Sequence, residues 1–286
     1  MSNCSTAQHL HTERQAMEQE LQWLLTQRIP KVAQQAQASL LGISLLGSKT
    51  GAGSRLTSKG TKAYIHLHDA KTGEDVGEVT VSGTSVTHLS LLLPTSANTQ
   101  PAGRTTTRLK MDEALALRQA QEAVSYIKAA AKKTQLMAPL SSSEAALDCV
   151  ENILSDIKRA RQILAAGSQQ ELMPLQSDNM GKFAPALPEN LVIECKLRDG
   201  SIVVHLYFLK FRRGVKNSGG ILDAFKRDST AGHMLVHNGR LAEVKQELVF
   251  QAPLSSMASD LDGLDRAANL LIDVVGQLHA FDSMRS

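Results

Sequence analysis

The sequence predicts an α+β protein: an elongated four-helix bundle and a separate antiparallel β-sheet lobe, both discontinuous along the chain. Three observations carry this. Four segments repeat apolar residues at spacings of three and four, as one face of a helix requires. Two blocks between them switch to period two and are broken by glycine-bearing turns. Aromatic residues are scarce, with six Phe, three Tyr and one Trp in 286 residues, so the core draws on Leu, Val, Ile and Ala, which suit closely approaching helices.

The first helix is expected over 6–41, with Leu10, Met17, Leu21, Leu24 and Leu25 on one stripe. Pro30 should kink it, because proline removes a donor and clashes with the preceding turn. A loop rich in Gly, Ser and Lys follows over 42–60. The first strand block is expected over 61–94, turning at Thr72-Gly73 and Gly83-Thr84 and closing at Pro94. Residues 105–167 return to the helical lobe. A second helix is expected from Thr107 to Thr134, with Leu117, Ala120, Val124, Ile127 and Ala131 as its stripe. A third opens at the capping pattern Ser141-Ser142-Ser143-Glu144 and carries Leu147, Val150, Leu154 and Ile157 to a stop at Gly167.

The second strand block is expected over 190–253, with hairpin turns at Asp199-Gly200 and Asn238-Gly239. A loop over 212–232 interrupts it. The fourth helix, 255–282, carries Leu261, Leu264, Ala268, Leu271, Val275 and Leu278 at spacings of 3, 4, 3, 4 and 3, the cleanest heptad in the chain. Helices of this length, ~39 Å for 26 residues, outrun a small domain and need each other's apolar stripes. The order helix–strands–helix occurs twice and reads as two halves of one plan.

Composition narrows the function. The chain is 42% apolar and 21% charged, as in ordinary globular proteins. Its 31 Lys and Arg nearly balance 28 Asp and Glu, which argues against a nucleic-acid binder. Residues Met1 to His11 are polar, and no apolar run approaches a membrane span. Cys4, Cys149 and Cys195 form neither a disulfide framework nor a metal spacing. A cytoplasmic protein is expected, reaching membranes only through partners.

Motifs for chemistry are weak. Gly42 to Thr50 approximates a phosphate loop, but Ser48 separates Gly47 from Lys49, and a helix precedes it where the motif needs a strand. His66 and His68 share a strand face beside Asp69 without further metal ligands at a useful spacing. His205, His233 and His237 are scattered over the second strand block. No Ser lies in GxSxG, and neither Cys149 nor Cys195 has an activating neighbour. The pairs Glu18/Glu20 and Asp260/Asp262 fall near helix starts or on exposed faces, where carboxylates are common. The cations at Lys132-Lys133 and Lys158-Arg159-Arg161 read as solvated surface; those from Lys210 to Lys216, with Phe208 and Phe211 nearby, read as a solvated loop or, as the alternative, a contact for an acidic partner or anionic lipid. No catalytic, cofactor-binding or metal-binding residue is assigned, and no enzyme is expected.

Two short motifs carry a resemblance. Glu18-Gln19-Glu20-Leu21-Gln22-Trp23-Leu24-Leu25 resembles the opening signature of the Rogdi family, and Phe183-Ala184-Pro185-Ala186-Leu187-Pro188 resembles its most recognisable segment. The order of elements is similar too. The resemblance implies a non-catalytic adaptor akin to the small subunit of RAVE, which promotes reassembly of the vacuolar and endosomal proton ATPase. Its implied partners are a large WD-repeat scaffold and subunits of the ATPase peripheral sector, with recruitment to vacuolar or endosomal membranes through them. From the residues alone, the fourth helix's heptad keeps a second reading open, a self-associating coiled-coil structural or scaffold protein unrelated to the ATPase.

Overall fold

The computed structural model describes residues 3–46, 65–94, 106–135, 137, 140, 142–166, 181–211, 234–237 and 240–285. Helix α1 spans Asn3–Trp23 and runs through a π-helical turn, Leu24–Arg28, into α2, Ile29–Leu41. The wide turn stands just before Pro30, which occupies the first turn of α2. Proline has no N–H to give an i−4 carbonyl, and the Ile29 N–H instead reaches the Leu24 carbonyl, five residues back. The expected kink is thus a widened turn in a continuous helix. Gly42 caps α2 through its N–H to the Ala38 carbonyl, and a 3-10 turn, Ser44–Leu46, follows.

The first strand block contains β1 (Ile65–Asp69), β2 (Asp75–Ser82) and β3 (Ser85–Pro94). Two strands then occupy the stretch expected to open the second helix: β4 (Thr106–Met111) and β5 (Leu115–Ala116). Consecutive threonines favour extended backbone, and Leu109 and Met111 are buried two residues apart. Helix α3 therefore begins only at Arg118 and ends at Gln135. Helix α4 spans Ser143–Ala166, its N-terminus capped by the Ser142 hydroxyl, which accepts from the Ala145 N–H at 3.2 Å. The rest is β6 (Phe183–Ala184), β7 (Leu191–Arg198), β8 (Ser201–Phe211), β9 (Met234–His237), β10 (Arg240–Pro253) and α5 (Ser255–Arg285).

The β7–β8 hairpin turns at Asp199 and Gly200, with φ of 48° and 75°. Both values lie in the left-handed region that a two-residue hairpin demands, which is why Asp-Gly stands there. The Asn238-Gly239 turn, residues 47–60 and residues 212–232 lie outside the described residues.

Among the described residues, the ten strands form one curled antiparallel sheet, in the order β6-β4-β3-β2-β1-β10-β8-β7, with β5 on β3 and β9 on β10. The two strand blocks join where His68 and Asp69 of β1 pair with Gln251 and Phe250 of β10. This corrects the expected architecture: the chain is a mixed α+β protein with a large antiparallel sheet, and among the described residues no elongated four-helix bundle forms its core. Two features explain the difference. From His11 to Trp23, α1 is exposed apart from the partly covered Met17 and Leu21, so it supplies no continuous seam. The strands β4 and β5 take the residues that would have lengthened α3.

The chain divides into two units. One holds Met1–Leu46, Glu122–Ile163 and Ala258–Ser286; the other holds Gly47–Gln121 and Leu164–Met257. The first is helical, with Leu24, Ile29, Leu40, Ile127, Ile157 and Leu271 in its core. The second contains the sheet, whose inner face buries Leu67, Val79, Leu91, Ile193, Val204 and Leu206.

A buried carboxylate secures the α2–α5 junction. Asp260, 3% exposed, accepts from the Ser44 N–H and from the Ser44 hydroxyl, each at 2.7 Å. Asp260→Ala leaves both donors without this acceptor and is expected to cost about 2 kcal/mol. Asp260→Asn keeps one acceptor oxygen and should recover part of the loss. Urea denaturation of the two variants measures the difference.

Candidate interaction surfaces

The residues singled out from the sequence fall into different places. In the helical unit, Val150, Leu154, Ile157, Leu264, Leu271 and Leu278 are buried, while Leu147, Leu261 and Val275 are half-buried. The seams also use Ala146, Ile153 and Ala160 on α4, and Ala267 and Val274 on α5. The α5 stripe is therefore wider than a zipper's two positions in seven, as packing inside a globular body requires.

Of the first motif, Glu18, Glu20 and Trp23 face solvent, Trp23 being 56% exposed, whereas Leu24 and Leu25 are buried in the π-helical turn. The second motif belongs to the sheet unit. Phe183 and Leu187 are buried; Ala184, Pro185, Ala186 and Pro188 are exposed. Phe183 and Ala184 pair with Met111 and Lys110 of β4, and the Ala184–Pro185 bond is cis. The Pro188 carbonyl accepts from the Leu191 N–H at 2.9 Å and so starts β7. The two motifs thus lie in separate units.

Three surface features have the makings of a binding site. The first is a cleft of about 360 Å³ in the helical unit, between α1 and the last turns of α5. Its apolar lining is Met17, Leu21, Phe281 and Met284, and Glu13, Arg14 and Glu18 stand along its rim. Arg14 and Glu18 are 3.5 Å apart. Met17 and Leu21 are visible in the sequence as part of the α1 stripe; Phe281 and Met284 fall beyond the last heptad leucine.

The second is a shallow depression on α4, lined by Glu151, Ser155, Lys158, Arg159 and Gln162 over Leu154. Arg159 lies over the Tyr126 ring, 5.3 Å from its centroid. Nearby cations are already paired, Lys133 with Asp156 at 2.7 Å and Arg161 with Asp265.

The third is a polar network on the outer face of β7, β8 and β10. Glu194 is the cross-strand partner of His205, and His205 Nδ1 lies 2.8 Å from Glu247 Oε1. The His205 and Tyr207 rings stack at 5.7 Å, and Lys196 Nζ is 3.0 Å from Glu194 Oε2. Burial, then the charges of Glu194 and Glu247, hold the Tyr207 phenol well above its ordinary range. Burial likewise pushes the Cys195 thiol up to about 12, with Glu194 adding to it, and burial raises Cys149. Neither thiol is moved toward its reactive anion.

His66 Nδ1 lies 3.0 Å from Asp75 Oδ2. Among the described residues, no three His, Cys, Asp or Glu side chains are grouped to hold a metal ion. Among the same residues, no helix is long and apolar enough to cross a membrane.

Residues 20–252 match the family described as Rogdi leucine zipper containing protein. The chain belongs to this family. A search of the curated proteins gives no match. The Rogdi match takes in Glu20 to Leu25, the Phe183–Pro188 segment and nearly the whole sheet. It ends before α5, so the chain's most regular heptad lies beyond it. Within this Rogdi-family chain Leu264, Leu271 and Leu278 are at most 1% exposed; those leucines are already packed inside one molecule.

One titratable group in the sheet unit yields a pH prediction. His237, 3% exposed, packs its ring on Phe211 at 6.2 Å, and Arg240 covers Phe211 at 4.2 Å. Burial lowers the His237 pKa below its ordinary 6.5, against the opposing charge of Glu189. The unfolded chain therefore takes up a proton that the fold resists. The stabilisation is complete above the unfolded value and is lost as pH falls through the folded one. Denaturation between pH 7.5 and pH 5 should show a steeper stability loss in the native chain than in His237→Leu, by up to about one proton.

Proposed function

We propose that this Rogdi-family chain is a non-catalytic adaptor subunit of a RAVE-like complex that promotes reassembly of the vacuolar or endosomal proton ATPase. The observation that carries the reading is the family match over residues 20–252. Its proposed partners are a large WD-repeat scaffold and subunits of the ATPase peripheral sector. The chain works in the cytoplasm and reaches vacuolar or endosomal membranes through those partners. Two well-packed units suit such a role, because an adaptor must hold its docking residues at fixed positions while the partners supply affinity.

Affinity purification with mass spectrometry tests this, done with the ATPase assembled and again after its peripheral sector has been released. Recovery of the WD-repeat scaffold together with peripheral-sector subunits is expected. Repeated absence of both overturns the reading. A chain that zips with its own copy through α5 would require the buried leucines to turn outward. Light scattering of the purified protein separates that alternative, which demands an obligate dimer.

A further inference from the structure

We propose that His66 and His68 on β1 form a binding site for a divalent late transition-metal ion of the copper, nickel or zinc class, with Asp75 as the positioning residue. The two histidines are exposed on either side of the fully buried Leu67, so both project from the outer face of the sheet. They stand two residues apart on an extended strand, about 7 Å. At that spacing two imidazoles can close on one ion through bonds of about 2.0–2.1 Å. The histidine pair alone is visible in the sequence. What folding adds is a carboxylate behind it.

Asp75 comes from β2, across the Thr72-Gly73 turn, and lies opposite His68 because the register shifts between Leu67 and His68. Its Oδ2 is 3.0 Å from His66 Nδ1, and its Oδ1 accepts from the Gly77 N–H at 3.2 Å. An ionised carboxylate only accepts, so His66 Nδ1 carries the hydrogen and Nε2 keeps the lone pair. A carboxylate held behind a histidine in this way fixes the ring's tautomer and orientation and makes it a better ligand. Asp69, nearer in sequence, is already engaged: its Oδ1 accepts from the Lys71 and Thr72 N–H groups at 2.7 and 2.9 Å.

The donor nitrogens select the metal. Imidazole suits copper, nickel and zinc, whereas Mg²⁺ and Ca²⁺ take sets of oxygens. Among the described residues no three His, Cys, Asp or Glu side chains are grouped to hold an ion, so the site is a two-nitrogen chelate whose other positions go to water. His205 and His237 offer no equivalent, since the His205 ring is stacked on Tyr207 at 5.7 Å and His237 is 3% exposed. Metal binding at β1 is independent of the adaptor role and stands whether or not that role does.

Isothermal titration calorimetry of the full chain with Cu²⁺, Ni²⁺, Zn²⁺ and Mg²⁺, in a buffer that does not coordinate metals, tests the assignment. The native chain should take up one Cu²⁺ more than the double variant His66→Gln/His68→Gln. Ni²⁺ and Zn²⁺ should bind the same site more weakly, and Mg²⁺ should give no heat there. Either single variant should weaken Cu²⁺ at least about ten-fold, and Asp75→Asn, which keeps an acceptor for Gly77, about ten-fold. Electron paramagnetic resonance of the bound Cu²⁺ should show two nitrogen ligands in the native chain and one in each single variant. The three side chains are exposed, so their replacement spares the fold, and His279→Gln, at an exposed position of α5, should leave the affinity unchanged. Equal Cu²⁺ uptake by the native chain and the double variant, Mg²⁺ bound as tightly as Zn²⁺, or affinity untouched by Asp75→Asn overturns the proposal.

Discussion

Leu271→Ala is expected to destabilise the helical unit by about 2–5 kcal/mol, toward the upper end of that range. Leu271 is 1% exposed, and Leu264, Ala267, Val274 and Leu278 on the same helix are also buried. Truncation removes most of the side chain's apolar surface and leaves a void that neighbouring turns, held by their own backbone hydrogen bonds, cannot close. The adjacent Ile272 supplies the control. It is 44% exposed, and Ile272→Ala should cost about 1 kcal/mol or less, since water already covers much of what is deleted. Urea denaturation of both variants separates a core helix from a loosely attached one. Equal losses would mean that α5 does not bury the side its pattern indicates.

Gly77→Ala should weaken the sheet unit by about 3 kcal/mol, at the severe end of overpacking. Gly77 lies in a cross-strand row between Leu67 of β1 and Leu91 of β3, and Leu91 in turn faces Leu109 of β4. A methyl group at Gly77 would come within 2.0 Å of the Ser90 carbonyl oxygen and 3.1 Å of the Leu91 Cα. Both are backbone atoms, so no rotamer change relieves the clash, and two paired strands must part. Gly181→Ala, at a glycine whose added methyl meets nothing within 4 Å, should leave the denaturation midpoint nearly unchanged. A mild Gly77→Ala would show that β2 and β3 separate easily at this point.

These two sites illustrate what can be seen in the chain and what cannot. The leucines of α5 repeat at helical spacing, so their burial is legible from local order alone. The alanines that complete the seams, Ala146, Ala160 and Ala267, are not, because alanine is equally at home on a wet helix face. Asp-Gly at 199–200 announces a hairpin through the backbone angles it must adopt. Gly77 announces nothing: its need for space comes from Ser90, across a strand pair. The joining of the two strand blocks through His68–Gln251 and Asp69–Phe250 is more remote still, and no local periodicity encodes a pairing over that separation. The stretch Thr106–Met111 misleads because Leu109 and Met111 also fit the start of a helical stripe, and the β-branched threonines before them decide otherwise. The cleft is half legible. Met17 and Leu21 sit on a readable stripe, but the meeting of α1 with Phe281 and Met284 is a product of folding.

The wide turn at Leu24–Arg28 has a mechanical consequence. The backbone bond that closes it spans five residues, from the Ile29 N–H to the Leu24 carbonyl, so the turn takes up one residue more than a regular helical turn. A rope of coiled strands depends on an unbroken tally of sevens, and an added residue forces it to slacken locally. Any filament-like partnership along the leading rod would therefore have to stop or loosen at that point, leaving the stretch before it to engage neighbours by its own rules.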